Sequence, residues 1–281
     1  MRNRLLTNQI NTTGVLVLNG GADDDMGAMT PQNWVSIRLA ETQLSGVLSG
    51  EGSYANLTYG HDLSVSDTRI SGVSISVEQG DWAFDADADV EKEGVGFGAY
   101  TVRRSGRMVL SAAIELMEFD NRFTSTSDAT AQTSSSRTSA NVSLSYDSPL
   151  ENGATVIRYA EVGFSSERIN GYTYSDGTTI EATTAEAGQI SLGIQVYGPL
   201  QENGGQYLFG AQIADSFGTD EITLSNGTIY SPTDTRDGSI TLGYSRPLGE
   251  DRRMGWSITA SGLGNDEVSE TQVEGWIDRQ Y

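Results

Sequence analysis

The chain of 281 residues is defined first by what it has little of. It contains no cysteine, which excludes disulfide bonds, thiolate catalysis and cysteine-ligated zinc. It has 17 Lys and Arg against 38 Asp and Glu, a formal net charge of −21. Because so acidic a chain lacks the basic face that would neutralise phosphates, nucleic acid is excluded as a partner. No stretch approaches the roughly 20 consecutive apolar residues that a membrane-spanning helix needs.

The N-terminal residues differ in pattern from the rest. Met1 is followed by two arginines but by no apolar segment of the kind found in a secretory signal peptide. If the protein is secreted, we expect its leader and an upstream region to precede Met1. Residues 1–31 include the run Gly20-Gly21-Ala22-Asp23-Asp24-Asp25. They are predicted to form a linker with one or two helical turns around Asn3 to Ile10, and residues 32–281 a second unit.

From Gln32 onward, apolar residues recur at every second position. Val73, Ile75 and Val77, for example, alternate with glycine and serine. This period fits β-strands with one apolar and one polar face, and it does not fit a helix. The pattern predicts an all-β chain of about twelve strands, at 32–44, 53–66, 69–79, 94–103, 107–119, 139–149, 154–167, 186–198, 205–217, 236–246, 253–264 and 270–281.

The connections between these strands alternate between short and long. The short set contains two tight turns and three tags that recur about every 50 residues, each ending in Pro-Leu at Leu150, Leu200 and Leu248. The long set comprises 80–93, 120–138, 168–185 and 218–235. Short periplasmic turns and long external loops are typical of an antiparallel up-and-down transmembrane β-barrel in an outer membrane. In that interpretation the apolar faces meet lipid; in the alternative, a soluble two-layer β-sandwich, they would meet each other.

Several features in this order and spacing resemble the translocator domain of autotransporters, the type V secretion family. They are Trp34 in the first strand, Gly72-Val73-Ser74-Ile75-Ser76, Gly96-Phe97-Gly98-Ala99-Tyr100, the Pro-Leu turns and Tyr159-Ala160-Glu161-Val162-Gly163-Phe164. The similarity covers about residues 32–281. It implies a barrel in the outer membrane of a Gram-negative bacterium that secretes or anchors its own upstream passenger. It also implies that an N-terminal segment plugs the lumen, for which residues 1–31 are the candidate.

The resemblance further implies that the outer-membrane assembly machinery recognises the last strand. Gly275, Ile277 and Tyr281 are the candidate signal, although Arg279 falls on the same face. A cation at the rim can extend its charge into water, so the strand is not excluded. Some family members cleave themselves at an Asn-Asn pair, which this chain does not contain. Outer-membrane lipid is the remaining expected partner, and we expect a monomer.

Four charged residues in predicted strands are candidates for a polar lumen. Arg38, Glu115, Arg158 and Glu161 are predicted to face inward and to contact the N-terminal segment. Ion pairs in a wet lumen are individually weak.

Catalytic and metal sites find little support in the sequence. His61 is the one histidine, and without a Gly-x-Ser-x-Gly elbow it does not indicate a hydrolase. The acidic stretch 81–93 lacks the glycine and glutamate of a calcium loop starting at Asp85, and its alternation with apolar residues favours a hairpin above the membrane. Thr124 to Ser139 is predicted to be a flexible surface loop. We therefore expect no enzyme activity, no cofactor and no resident metal. A small outer-membrane pore and a soluble all-β adhesin remain the alternatives.

Overall fold

The computed structural model describes residues 33–45, 49–85, 89–218, 222–223, 229–230, 235–248, 252–264 and 268–279. Twelve strands in this part of the chain form one closed antiparallel barrel. They are β1 (Asn33–Leu44), β2 (Gly50–Ser66), β3 (Arg69–Phe84), β4 (Asp89–Ser105), β5 (Met108–Thr124), β6 (Thr130–Pro149), β7 (Thr155–Ile169), β10 (Thr183–Tyr197), β11 (Gln206–Gly218), β14 (Thr235–Pro247), β15 (Arg252–Leu263) and β16 (Val268–Arg279). Two short ribbons lie in the long loops: β8 (Tyr172–Thr173) with β9 (Thr179–Ile180), and β12 (Ile222–Thr223) with β13 (Ile229–Tyr230).

The barrel closes between its first and last strands. β1 pairs with β2 on one side and with β16 on the other, in a register that runs from Trp34 opposite Asp278 to Leu44 opposite Val268. Closure pairs the backbone groups that an open sheet would leave free at its two edges. The predicted fold of about twelve antiparallel strands in an up-and-down barrel is confirmed. No helix among the described residues is long and apolar enough to cross a membrane.

The two faces of each strand have opposite chemistry. On β3, Val73, Ile75 and Val77 are 42%, 51% and 51% exposed, whereas the intervening Ser74 and Ser76 are buried. The other barrel strands repeat this arrangement, with exposed Leu, Ile, Val and Phe outside and serine, glutamine and glutamate inside. The outward apolar positions form a belt around the barrel, the arrangement expected of a surface that meets hydrocarbon. The alternative of a soluble sandwich is therefore wrong, because the apolar faces do not meet each other.

Strands β3 to β6 are longer than the sequence predicts, and they rise above the apolar belt on the long-loop side. The long connection 80–93 contains the end of β3 and the start of β4, so the hairpin predicted for 81–93 is confirmed. The prediction of a loop at 120–138 and of a flexible segment at 124–139 is wrong, since only 125–129 separates β5 from β6. The outward residues of this tall wall are mostly polar, and along the upper part of β6 the inward residues are polar as well, so the sequence there shows no alternation. At the lower edge of the wall the outward residues are Gln79, Glu93, Glu118 and Thr138.

Two of the short turns share one hydrogen-bonding pattern. Leu150 N donates to Ala154 O at 2.8 Å, and Gln201 N donates to Gly205 O at 2.8 Å. Inside each turn an Asn-Gly pair supplies an acceptor side chain and a positive φ, which is 80° at Gly153 and 72° at Gly204. Glycine adopts this backbone region without steric penalty. The turn after the third Pro-Leu tag lies outside the described residues.

A small apolar cluster lies on the long-loop side, above the lumen. Phe123 at the end of β5 stacks on Tyr172 with ring centroids 4.6 Å apart, and Tyr174 meets Tyr172 edge-on at 5.5 Å. Ala129 and Ala131 complete the buried part of the cluster. The β8–β9 ribbon is thereby held against the inner face of the tall wall. This loop contains ordered structure where the sequence predicted only a polar connection.

Candidate functional site

The candidate functional site is the lumen, which is lined by polar side chains. Inward positions of β1, β2 and β3 carry the buried Ser36, Asn56, Thr58 and Ser76, and Thr58 and Ser76 lie within hydrogen-bond distance of each other at 3.1 Å. On the opposite wall the buried inward residues include Gln189, Ser191, Gln195 and Gln212. Hydroxyl and amide groups both donate and accept hydrogen bonds. Such a lining can therefore solvate a polypeptide that occupies or crosses the lumen.

Aromatic side chains fill the lumen near the short-turn end. Trp34 Nε1 donates to Tyr100 Oη at 2.9 Å, and Tyr100 Oη donates to Asp62 Oδ1 at 2.6 Å. Gly60 and Gly72 make room for these rings, because a Cβ at Gly60 would meet the Trp34 ring and one at Gly72 would meet Tyr100. A buried chain of hydrogen bonds therefore joins β1, β2 and β4 at this end.

A second aromatic group faces it from the other half of the barrel. Tyr159 Oη donates to Gln212 Oε1 at 2.7 Å, and Tyr197 Oη donates to Gln195 Oε1 at 3.1 Å. Both rings pack with Ile157 in a small apolar cluster. Buried tyrosines commonly bond their hydroxyl in this way while the ring packs against apolar neighbours. The short-turn end of the lumen is thus narrowed from both sides.

Ion pairs cross the lumen toward its long-loop end. Arg137 on β6 donates to both carboxylate oxygens of Glu78 on β3, at 3.0 and 2.9 Å. Lys92 on β4 binds both oxygens of Glu167 on β7, each at 2.6 Å. The Phe119 ring lies between the two cations, with its centroid 3.9 Å from Lys92 Nζ and 4.8 Å from Arg137 Cζ. These contacts join five consecutive strands, so we call this group the upper ion-pair cluster.

Lys92 and Glu167 lie above the apolar belt, where their charges are coupled. Burial lowers the pKa of Lys92, although the Glu167 carboxylate opposes the shift. Burial also raises the pKa of Glu167, but the charge of Lys92 and hydrogen bonds from Lys92 and Ser135 outweigh it, so that this pKa lies below its usual range. Contact of the ammonium with both carboxylate oxygens favours a charged pair at neutral pH.

A separate ion pair lies at the seam where the barrel closes. Arg38 on β1 approaches Glu274 on β16 at 3.8 Å, and Ser36 Oγ donates to the same carboxylate at 3.0 Å. Both charged side chains are buried. A buried charge without a partner is costly, so this pair also favours correct pairing of the first and last strands.

Three of the four predicted lumen residues point inward. Arg38, Glu115 and Glu161 are buried, and Glu161 forms no ion pair with any residue that the structure describes. The prediction for Arg158 is wrong. Its side chain is exposed on the outward face of β7 and donates to Ser148 Oγ at 2.9 Å, because an arginine near the rim can extend its charge into the headgroup region.

The remaining predicted residues have simpler surroundings. On β16, Gly275 is half-buried and Ile277 is exposed on the outward face, whereas Tyr281 lies outside the described residues. The assembly signal stays a prediction, as do the contacts of the lumen residues with residues 1–31 and the domain division. His61 Nδ1 lies 2.6 Å from Asn33 Oδ1. The described residues contain no group of three or more His, Cys, Asp or Glu that could hold a metal ion.

Sequence reasoning missed the upper ion-pair cluster. It assigned Lys92 and Arg137 to loops, although each is an inward residue of a strand. The available signal was weak: Thr133, Ser135, Arg137 and Ser139 alternate with residues that are equally polar. Because this part of the wall stands in water on its outer side, no apolar face marked it as a strand.

Comparisons with known proteins find matches to autotransporter barrels, by sequence and by fold. The family model described as Autotransporter beta-domain matches residues 40–250, more than half of the chain. The translocator domain of the autotransporter NalP from Neisseria meningitidis is similar, with a TM-score of 0.77 at 10% identity, covering 92% of this chain and 90% of that one. The beta domain of the Bordetella autotransporter BrkA gives 0.72 at 16% identity, covering 89% and 99%.

The transport unit of the autotransporter AIDA-I from Escherichia coli gives a TM-score of 0.57 at 9% identity, covering 92% of this chain and 93% of that one. At these identities the three structures bear on the fold, and the family match rests on the sequence. No curated protein sequence matches the chain.

Proposed function

Because the chain belongs to the autotransporter beta-domain family and is an outer-membrane translocator barrel of a Gram-negative bacterium, we propose that it secretes or anchors at the cell surface a passenger joined to its N-terminus. The single observation that carries this proposal is where the barrel begins. β1 starts at Asn33 on the short-turn side, which is the periplasmic side of such barrels. This start of β1 would give polypeptide upstream of Asn33 access to the lumen from the periplasm, which supports the lumen as its route to the surface.

The polar lining supports passage of a polypeptide. A backbone that crosses the membrane outside a barrel would leave its amide and carbonyl groups unsatisfied in hydrocarbon. Serine, glutamine and charged groups in the lumen offer hydrogen bonds instead. The cross-lumen ion pairs add positively and negatively charged groups to this lining at the long-loop end.

We propose that residues 1–31 occupy this route after translocation. Even at the helical rise of about 1.5 Å per residue, a segment of 31 residues would span about 46 Å, more than the roughly 30 Å of a hydrocarbon core. The segment carries Arg2, Arg4 and three consecutive aspartates, so it offers charges of both signs to Arg38, Glu115 and Glu161. Glu161, buried without an ion-pair partner among the described residues, is the natural contact for one of its arginines.

We further propose that the assembly machinery of the outer membrane recognises Gly275, Ile277 and Tyr281, and that the barrel works as a monomer. Both follow from the family resemblance and from the outward position of Ile277. The role is transport, and no catalytic step is assigned to any residue.

The decisive experiment is a surface-display assay. An epitope-tagged passenger with its own leader is fused upstream of Met1 and expressed in a Gram-negative host. We expect external protease to digest the tag in intact cells, and we expect protection when residues 268–281 are deleted and the barrel cannot close. A barrel that folds in the outer membrane while its passenger stays in the periplasm would contradict the proposal. A large, open conductance of the full chain in planar bilayers would instead support a pore.

A further inference from the structure

A group of exposed arginines lies on the short-turn side of the barrel, at the turns between β2 and β3 and between β4 and β5. Arg69, Arg103 and Arg107 are all exposed there. The chain has 17 basic residues in total. Asp67 is the one acidic residue in the two turns. We call these three arginines the rim arginines.

One backbone hydrogen bond joins the β2–β3 turn to the end of β4, and a second joins the β4–β5 turn to β6. Arg104 N donates to Thr68 O at 2.7 Å, and Asp147 N donates to Arg107 O at 2.9 Å. In the strand register Arg69 lies directly opposite Arg103, on the outward face. Arg69 Nε donates to Ser71 Oγ at 3.0 Å, which directs this guanidinium along the outer surface. Arg69 and Arg103 are therefore neighbours on adjacent strands, and Arg107 lies in the turn that follows β4.

Their charges are not compensated within the described part of the protein. None of the three forms an ion pair with a described residue, whereas the adjacent Arg104 points inward and pairs with Asp147 at 2.6 Å. Like charges directly opposite each other destabilise a pair of strands. At the Pro-Leu turns, by contrast, Glu151 and Glu202 supply negative charge to the same rim. Elsewhere on this rim the exposed Arg158 and Arg246 each lie opposite an uncharged residue, and a second opposed arginine pair, Arg252 and Arg279, joins β15 and β16.

The position of the rim arginines relative to the membrane indicates which anion they could bind. On β3, Arg69 lies four residues below Val73, the lowest exposed apolar residue of that strand, and on β4 Arg103 lies four residues below Ala99. Four residues correspond to roughly 13 Å along a strand. Leu110 on β5, directly opposite Arg103, is still an exposed apolar residue, so the two arginines lie at the lower edge of the apolar belt, from where their guanidinium groups can extend to the headgroups of the inner leaflet. That leaflet contains phospholipids, and arginine binds phosphate through two parallel hydrogen bonds.

We propose that Arg69, Arg103 and Arg107 form a binding site for the phosphate of an anionic phospholipid in the periplasmic leaflet of the outer membrane. The bound headgroup places negative charge between Arg69 and Arg103 and removes their repulsion. This inference does not depend on whether a passenger is secreted, because it requires only the barrel and its orientation.

The test measures which lipid the purified full chain retains. The protein is equilibrated in detergent with equal amounts of phosphatidylglycerol and phosphatidylcholine, and retained lipids are counted by native mass spectrometry. We expect wild type to retain phosphatidylglycerol preferentially. In R69Q/R103Q/R107Q the ratio of retained phosphatidylglycerol to phosphatidylcholine should fall roughly fivefold for each arginine removed. R69K/R103K/R107K should keep part of it, since charge remains without the bidentate geometry.

The matched control is R158Q/R246Q. It removes two exposed arginines of the same rim that lie opposite Tyr146 and Met254 rather than opposite another arginine. The preference should be unchanged in this variant. The proposal is overturned if the triple variant keeps the wild-type preference or if the control loses as much. Displacement of the lipid by millimolar inorganic phosphate would also overturn it, in favour of a free anion. Heat-modifiable migration on SDS gels checks that each variant is folded. If the triple variant does not fold, R103Q alone replaces it, with an expected loss of about fivefold in the preference for phosphatidylglycerol.

Discussion

Arg137 and Glu78 are bound to each other across the lumen by two hydrogen bonds of 3.0 and 2.9 Å, although they belong to strands β6 and β3. The pair bridges the inner faces of β4 and β5 and packs against Phe119. It thus couples strands that are not neighbours in the sheet. Such a contact resists radial deformation of the wall, which pairing between adjacent strands does not.

Breaking this pair from one side should destabilise the barrel. We expect Glu78→Gln to lower the free energy of unfolding by about 3 kcal/mol, because the Arg137 guanidinium then remains buried without its carboxylate. Urea titration of the detergent-folded protein, followed by tryptophan fluorescence, measures the change.

The control for that substitution is Arg122→Gln. Arg122 pairs with Glu91 at 3.0 Å, but both side chains are more than half exposed, so its loss should cost less than about 1 kcal/mol. Equal losses for the two variants would show that the cross-lumen pair is no better than a surface contact.

The Lys92–Glu167 pair should make stability depend on pH in the acid range. The pKa of Glu167 lies below its usual value in the folded protein, so its contribution is present above the unfolded pKa of about 4.3 and is lost as the pH falls through the folded pKa. We expect E167Q to be less stable than wild type at pH 7, and the difference to shrink below about pH 4. A difference that stays constant over this range, measured by heat-modifiability midpoints, would contradict the prediction.

Glycine at position 72 should be required for packing of the short-turn end. A Cβ at Gly72 would meet both Tyr100 and the backbone oxygen of His61, and backbone cannot move aside easily. We expect Gly72→Ala to destabilise the barrel by about 1–3 kcal/mol, measured by urea titration. Gly275→Ala is the matched control, since nothing lies within 4 Å of its Cβ position.

The predicted plug can be tested through conductance. We expect deletion of residues 1–31 to leave a heat-modifiable barrel but to raise its single-channel conductance in planar bilayers. E115Q/E161Q should increase the frequency of opening of the full chain, because it removes two buried carboxylates from the lumen. R158Q, which lies outside the lumen, should behave as wild type; an equal effect of R158Q would argue against specific lumen contacts.

The C-terminal assembly signal predicts a difference between cells and purified protein. We expect Ile277→Ser and Tyr281→Ala to lower the yield of folded barrel in cells while refolding in detergent is unaffected. Ile258→Ser on β15 removes an equally exposed outward isoleucine, 44% against 46% for Ile277. If it lowers the cellular yield as much, loss of lipid contact rather than recognition explains the result.

The sequence predicts the part of the fold that touches lipid. Along β3 the alternation of Val73, Ile75 and Val77 with serine identified strand, face and direction correctly, because hydrocarbon outside and water inside impose opposite polarity. Above the belt both faces of Arg137's strand meet polar surroundings, so the same rule gave no signal there. The pairing of Arg38 with Glu274 depends on closure between the two ends of the barrel, which no local pattern encodes.

Arg158 illustrates a second limit. Its charge led to an inward prediction, whereas its neighbour Tyr159 faces inward and bonds Gln212. Near the rim, a long cation and an aromatic ring can each occupy either face, so residue type alone does not decide the register.

Strands β3 to β6 extend as a tall wall beyond the apolar belt at the long-loop end of the barrel. A passenger that left the lumen would meet the inner surface of these four strands before it reached bulk solvent. Its first folding would therefore take place beside a rigid β-sheet, which would restrict the directions from which other molecules could reach it.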